Sequence, residues 1–549
     1  MTFFPRKSRP SWARTLVSML LAVCLLPQSL PAEEMDADLD FSALLGERGA
    51  ESSPPPAPAP VKEYTLEGEV RPSVWYPLHE PYEMRSTHRM DLLMEKPGDD
   101  SLVVARLKAD YQSRKEKDTA DADIRELYVQ KRFTLAKSTR MSFTAGKKIV
   151  HWGKGDEIRP VDRVSPEDLR HFLYYDKNDR KTGIPGFFLE SSFQSGLRIE
   201  GFWSPVFVAS TMPEADSHFA PPLLDAYRSA GGRLHASDED WIWDNDASLG
   251  LRISLPVKNA DISFYAWKGK DPMPHLRATH IKDRITVSDL LEALDIPVPE
   301  VPNPGTLLDT VPELPARWAH LNPTRELLLT KLREDSSLAY AETVEKLLAT
   351  LPDPDSFLFL EIPPLPSDLA YDHRDTLFLG ADMEFSAGAY VFRGEAAWQM
   401  QGNYELVDFT RNPELLYRFP QAVVQKDKLD FLFGIDRNDL LLRNLFANVQ
   451  YVGIFLPDHG DYLQNKQFRH GMTVCLRYSI LDSRISGMWR LFTWLDSHDR
   501  QHQVELSFKP AKNLLFTTGV FFYDGGTEKD LFGQFREKDF SFLRASLIF

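Results

Sequence analysis

Period-two alternation, sustained over segments of ten or more residues, constrains this chain more than any other feature. Between Gln501 and Lys509, Val504, Leu506 and Phe508 point one way, while Gln503, Glu505, Ser507 and Lys509 point the other. Val103, Ala105, Leu107, Ala109 and Tyr111 oppose Arg106, Lys108 and Asp110. Leu249, Leu251, Ile253 and Leu255 oppose Ser248, Gly250, Arg252 and Ser254. Successive side chains of a strand lie on opposite faces, so these are half-buried strands. A soluble antiparallel sandwich alternates in the same way. Length separates the two, because membrane strands need about 9–11 residues and typical soluble strands are shorter.

The pattern predicts about eighteen strands, with sixteen as the alternative. They fall at 63–76, 86–96, 101–113, 122–135, 138–150, 184–193, 196–208, 247–256, 259–268, 375–386, 388–401, 423–435, 441–456, 468–480, 483–496, 501–509, 512–523 and 538–549. Tight turns alternate with long connections at 114–121, 151–183, 209–246, 269–374, 402–422, 457–467 and 524–537. The connection at 497–500 is short where a long one is expected. Short turns on one side and long loops on the other are the pattern of an up-and-down transmembrane β-barrel. An even strand number places both termini on the periplasmic side. The last strand carries Leu543, Ala545, Leu547 and Phe549 on its apolar face. A terminal strand ending in Phe549 resembles the signal read by the barrel assembly machinery, which is therefore an expected partner along with outer-membrane lipid.

Composition fits that reading. Mean hydropathy is −0.33, which argues against a bundle of membrane helices. Only every second barrel residue faces lipid, so low mean hydropathy is compatible with spanning strands. Residues 1–32 read as a signal peptide: Arg6, Lys7, Arg9 and Arg14 precede the apolar run Leu16 to Leu26. Its removal takes four basic residues and no acidic one, shifting the net charge from −16 to −20. Such an acidic product is a poor nucleic-acid binder. Cys24 leaves with the signal, and Cys475 alone cannot form an internal disulfide. Residues 33–62 are acidic and then proline-rich, a periplasmic linker that cannot bury a core and a candidate docking point for an envelope transport partner.

The barrel reading divides the rest into 63–268 and 375–549, separated by an insert at 269–374. Helical patterns in the insert start at Ser288 or Asp289, at Asn322-Pro323 and at Leu338. They predict a mostly helical body that caps the mouth or plugs the lumen. Within 151–183, Ser165 and Pro166 suit a helix start, with Glu167 and Asp168 at its positive end. Gly153 and Gly155 allow a sharp exit from the preceding strand. That loop either folds inward to constrict the lumen or stays outside with Trp152 in the aromatic girdle. Trp152, Asp156, Asp162, Asp168 and Arg170 are its constriction candidates.

The stretch from Gly146 to Asp156, with Arg159-Pro160-Val161-Asp162 and Ser165 to Arg170, resembles a signature of uncharacterised proteobacterial outer-membrane barrels. These group loosely with alginate-export-type porins. Gly380-Ala381-Asp382-Met383-Glu384 and Phe433-Gly434-Ile435-Asp436 resemble later strands of the same family. The resemblance implies an integral outer-membrane protein that moves a solute or an exported product, without naming the cargo.

Chemistry-bearing residues are sparse. The lumen faces carry both charge signs, and Arg198, Arg252, Arg393, Arg484 and Arg490 are candidates for a ladder guiding an anionic solute. Arg484 and Arg490 share one face of one expected strand. The competing reading is ion pairs that stiffen a wet wall. No HExxH, CxxC or GxSxG occurs, so no catalytic residue, metal site or cofactor is expected. Gly153-x-Gly155 lacks the third glycine and the βαβ setting of a nucleotide site. The leading expectation is therefore a channel. A plugged structural or partner-binding barrel, such as a sheath for an electron-transfer complex, comes second. An outer-membrane enzyme comes third.

Overall fold

The computed structural model describes residues 64–79, 85–113, 118–136, 138–213, 217–219, 233–235, 247–282, 285–287, 291, 326–328, 330, 361–362, 365–407, 415–419, 421–526 and 530–549. The expected signal peptide and proline-rich linker lie outside the described residues, as does most of the insert.

Eighteen strands close into one antiparallel barrel. In chain order the first seven are β1 (Thr65–Pro77), β2 (Arg85–Pro97), β3 (Ser101–Ser113), β4 (Thr119–Ala136), β5 (Thr139–Lys148), β6 (Ile184–Phe193) and β7 (Arg198–Ser204). A short strand, β8 (Arg233–His235), lies outside the barrel and is followed by β9 (Ser248–Val257) and β10 (Ala260–Lys270). After the insert strands β11 (His275–Lys282), β12 (Ile285–Thr286), β13 (Glu361–Ile362) and β14 (Leu365–Asp372), the barrel resumes with β15 (Asp375–Ala387), β16 (Tyr390–Leu406) and β17 (Val423–Arg437). It finishes with β18 (Leu445–Phe455), β19 (Phe468–Ile480), β20 (Ile485–Trp494), β21 (Asp499–Ala511), β22 (Leu514–Asp524) and β23 (Phe540–Ile548). Each of the eighteen segments expected from the alternation coincides with one barrel strand.

The last strand closes the ring on the first, with Val70 opposite Leu547 and Val74 opposite Leu543. Gly68 and Phe549 exchange both backbone hydrogen bonds, at 2.8 and 2.9 Å. Closure pairs the strand edges, which is what allows a sheet to cross hydrocarbon. Leu107, Leu249, Leu251, Phe433, Val504, Leu506 and Leu543 are exposed on the outer face. Lys108, Asp382, Glu395, Gln450 and Gln503 alternate with that face and are buried on the inner one. Apolar outside and polar inside is the polarity of a membrane-spanning barrel.

The connections at one rim are short, such as 98–100, 258–259, 388–389 and 512–513. Gly388 turns there with φ +62°, and Leu481, Asp482 and Ser483 are consecutive left-handed residues. Those three residues make the turn before β20 longer than its sequence suggests, so β20 starts at Ile485. The other rim carries the long loops 149–183, 205–247, 271–374 and 525–539, together with the short 495–498. Both ends of the barrel sequence lie at the short-turn rim, as an even strand number requires.

Among its described residues the insert is mostly strand, not the mostly helical body its pattern suggests. Its described ends are strands: β11 pairs antiparallel with β14, and β12 with β13. β8 joins this small sheet in parallel with β14. Helical backbone among its described residues is confined to Val287, Leu291, Glu326–Leu328 and Thr330. The described strands lie at the two ends of the insert, outside the segments whose apolar spacing suggests helix. Pairing across the two arms of the insert supplies partners that local propensity cannot anticipate.

Candidate functional site: a loop inside the lumen

Loop 149–183 folds into the barrel. Gly153 turns it with φ +79°, and a Cβ there would lie 2.7 Å from Glu395 Oε1. The absence of a side chain thus lets the backbone reach the wall. Glu395 on β16 accepts the N–H groups of Lys154 and Gly155, at 2.5 and 2.6 Å, and that of Val161 at 3.4 Å. Tyr265 on β10 accepts the N–H of Gly153 through its hydroxyl at 3.3 Å.

Two anchors reach opposite walls. Asp168 pairs with Lys108 on β3 at 2.6 Å, and Arg163 pairs with Asp430 on β17. Following the pairings, β3 is third and β17 twelfth in the ring of eighteen, so they stand half a ring apart. Residues 163–168 therefore cross the lumen. Arg71 on β1 holds Asp179 at 2.6 Å, and Arg490 on β20 holds Glu157 at 2.9 Å. Arg125 on β4 donates to the carbonyls of Asn178 and Lys181 at 2.7 Å.

The loop is internally braced as well. Lys181 is fully buried and donates to Asp162, whose carboxylate also accepts the Trp152 N–H at 3.2 Å. Burial pushes the Lys181 amine down to about 8, against the pull of Asp162. Burial opposes ionisation of Glu167, yet Lys177 and Arg180 hold it down to about 2. Asp168 is likewise buried but is kept well below the usual carboxylate range by Arg170 and Lys108. Burial lowers His151 to about 4 and His171 to about 3. Both ring nitrogens of His171 lack a hydrogen-bond partner among the described residues.

The helix expected at Ser165 does not form. Ser165 Oγ instead accepts the Val150 N–H at 2.8 Å, and Glu167 and Asp168 bridge to Lys181 and Thr211 in extended backbone. Glu167 serves Lys177 and Arg180 within the loop, and Asp168 serves Lys108 on the wall, rather than a helix end. The loop's one helical turn is α1 (Lys177–Arg180).

An aromatic core fixes the loop at the long-loop rim. Trp75 meets Tyr174 with ring centroids 4.6 Å apart, and Phe521 stacks on Phe540 at 4.9 Å. Phe219 from loop 205–247, and Phe532 and Phe535 from loop 525–539, join the same cluster. The Arg89 guanidinium lies 3.5 Å over the Tyr175 ring. Wall residues Leu432, Val452, Trp494, Phe521, Tyr523, Phe540 and Phe542 are thus apolar on the inner face. Sequence reasoning missed them, because alternation assigns the inner face to polar residues. The available signal was local loss of alternation, as in Val520-Phe521-Phe522-Tyr523.

The constriction candidates lie together on this loop. Trp152 is buried against Tyr265, Phe202 and Phe378 inside the barrel, not in an outer girdle. Asp162 and Asp168 are anchors, Arg170 bridges Asp168 and Asp121 at 2.8 Å each, and Asp156 lies 3.9 Å from Arg393. The arginine candidates are spread more widely. Arg252 pairs with Glu200 at 3.4 Å, Arg198 with Glu190 at 3.3 Å, and Arg393 with Glu384 at 2.7 Å. Arg490 touches the loop, whereas Arg484 is exposed in the short turn before β20 and does not share a strand with it. Among the described residues, no group of three or more His, Cys, Asp or Glu could hold a metal.

Several solved structures are similar to this chain at low identity. OccAB3 of Acinetobacter baumannii is 9% identical, with a TM-score of 0.44 over 89% of this chain and 100% of that one. OccK11 (OpdR) of Pseudomonas aeruginosa is 9% identical, with a TM-score of 0.40 over 89% and 96%. The outer membrane channel DcaP of A. baumannii is 10% identical, with a TM-score of 0.37 over 88% and 97%. No curated protein matches the chain. Residues 82–549 match the family model described as "Protein of unknown function (DUF1302)", and the chain belongs to that family.

Proposed function

We propose that this protein is an outer-membrane channel whose conducting path is set by the inward loop 149–183. The observation that carries the reading is the pair of anchors on opposite walls, Lys108–Asp168 and Arg163–Asp430. An eighteen-stranded barrel is wide enough to leave an aqueous lumen, and a loop tied across it converts a wide pore into a selective one. In this reading the short-turn rim and both termini face the periplasm. The strand ending at Phe549 is then presented to the assembly machinery, and residues 33–62 are available to an envelope transport partner. The inner arginines would act on a passing anion only through the carboxylates that already hold them, so anion preference is weak.

A second reading is a sealed, partner-binding barrel. The aromatic core favours it, because three loops fold onto one patch of the inner wall. Planar-bilayer recording separates the two. A channel gives stepwise current in potassium chloride, with a small anion preference that falls further in the double variant Arg393→Ala, Arg490→Ala. A folded barrel that stays silent supports the sealed reading.

A further inference from the structure

Between loop residues 157–167 and the wall formed by β17, β18 and β20 lies a cavity of about 350 Å³. Ligand sites commonly start near this size, roughly 300 Å³. Much of its wall side is apolar: Val452 and Ile454 of β18 and Phe492 and Trp494 of β20 line it, beside the Lys428–Asp430 pair of β17 at 3.4 Å. Cross-strand registers put all four on the inner face, since Ile454 stands opposite Asp430, Val452 opposite Leu432, and Phe492 opposite Gln501. An apolar inner wall serves no purpose for a hydrated ion. The loop side is polar but internally neutralised, with Arg163 on Asp430 and Glu157 on Arg490.

Two buried polar atoms among the lining residues are unmet. The indole Nε1 of Trp494 and Oδ1 of Asp430 have no hydrogen-bond partner among the described residues. Trp494 is 6% exposed, and so is Asp430. Leaving such groups unpaired costs roughly 1–3 kcal/mol each, so an occupant is expected to satisfy them. One is a donor and the other an acceptor.

We propose that this cavity is a binding site for a small uncharged amphipathic solute, with an apolar or aromatic body on the wall and a hydroxyl-bearing head. The head would accept from Trp494 Nε1 and donate to Asp430 Oδ1, while the body would lie against Phe492 and Ile454. The assignment deepens the channel reading by naming its solute class, but binding itself does not require transport.

The test uses the full-length barrel in lipid nanodiscs and in proteoliposomes, with phenyl β-glucoside and methyl β-glucoside as probes. Calorimetry in nanodiscs should show saturable binding of the phenyl compound, at least ten-fold tighter than the methyl compound. Phe492→Gln and Ile454→Asn should each reduce that preference several-fold, and Trp494→Phe should weaken both probes by removing the donor. In proteoliposomes the larger phenyl compound should enter faster than the smaller methyl one, the reverse of simple sieving by size. Equal affinities, or a preference untouched by these variants, would overturn the proposal and leave water as the partner of both atoms. Saturable, variant-sensitive binding without flux would uphold the site while removing the channel reading.

Discussion

Glu395 on the barrel wall accepts the backbone N–H of Gly155 at 2.6 Å, tying together residues 240 positions apart in the chain. The same carboxylate accepts from Lys154 and Val161, so one side chain holds the tip of the lumen loop. Hydrogen bonds to a charged acceptor contribute roughly 1.5–3 kcal/mol each. Glu395→Ala should release the tip. Trypsin added to intact proteoliposomes should then cleave after Lys154 at least ten-fold faster than in the parent protein, with the barrel itself intact. Gly153→Ala should act in the same direction, because its Cβ would crowd the Glu395 carboxylate.

The buried pair Lys181–Asp162 should respond asymmetrically. Removing one member strands the other charge, which costs roughly 3–5 kcal/mol, whereas replacing both by apolar groups is often neutral. Asp162→Asn should destabilise the loop strongly. The double variant Asp162→Leu, Lys181→Met should recover most of the loss, read as protection from the same trypsin cleavage.

Acid should loosen the loop through His171. Its pKa is about 3 in the folded loop against an ordinary 6.5, with burial the main cause. Arg89 and Arg170 reinforce the lowering, while Asp110 and Asp168 oppose it. The unfolded loop therefore binds more protons between these values. Stability from the neutral ring is full above pH 6.5 and is lost as pH falls toward 3. Trypsin is inactive at that end, so pepsin accessibility is the suitable measurement. Cleavage within 149–183 should rise below pH 6, and His171→Phe should flatten the rise.

Trp75 joins the first strand to the core that seats three loops, and it is 1% exposed. Trp75→Ala should cost roughly 3–5 kcal/mol of local packing. Proteolysis should then increase in 149–183 and 525–539 together. Independent behaviour of the two loops would show that the cluster does not couple them.

The barrel was legible in the sequence because each strand is a local pattern. Lipid outside and polar lumen inside write themselves onto alternate residues, as in Val504 to Lys509. The strands at the ends of the insert were not legible, since β11 and β14 find each other across some ninety residues. The loop's acidic residues Asp162 and Asp168 stood out as candidates, but their cations did not. Lys181 meets Asp162 only when the loop doubles back on itself, and Lys108 meets Asp168 only when the loop crosses to the β3 wall. The same holds for the inner aromatic wall, where a face expected to be polar is apolar because it packs on loops.

The most direct test of the account is single-channel conductance before and after removal of the loop. Lys148 and Ile184 are paired residues at its base, so a four-residue turn can replace 149–183 without disturbing β5 or β6. The account predicts small, discrete steps for the intact protein and several-fold larger steps for the shortened one. Silence from both folded proteins, or unchanged conductance after removal, would contradict it.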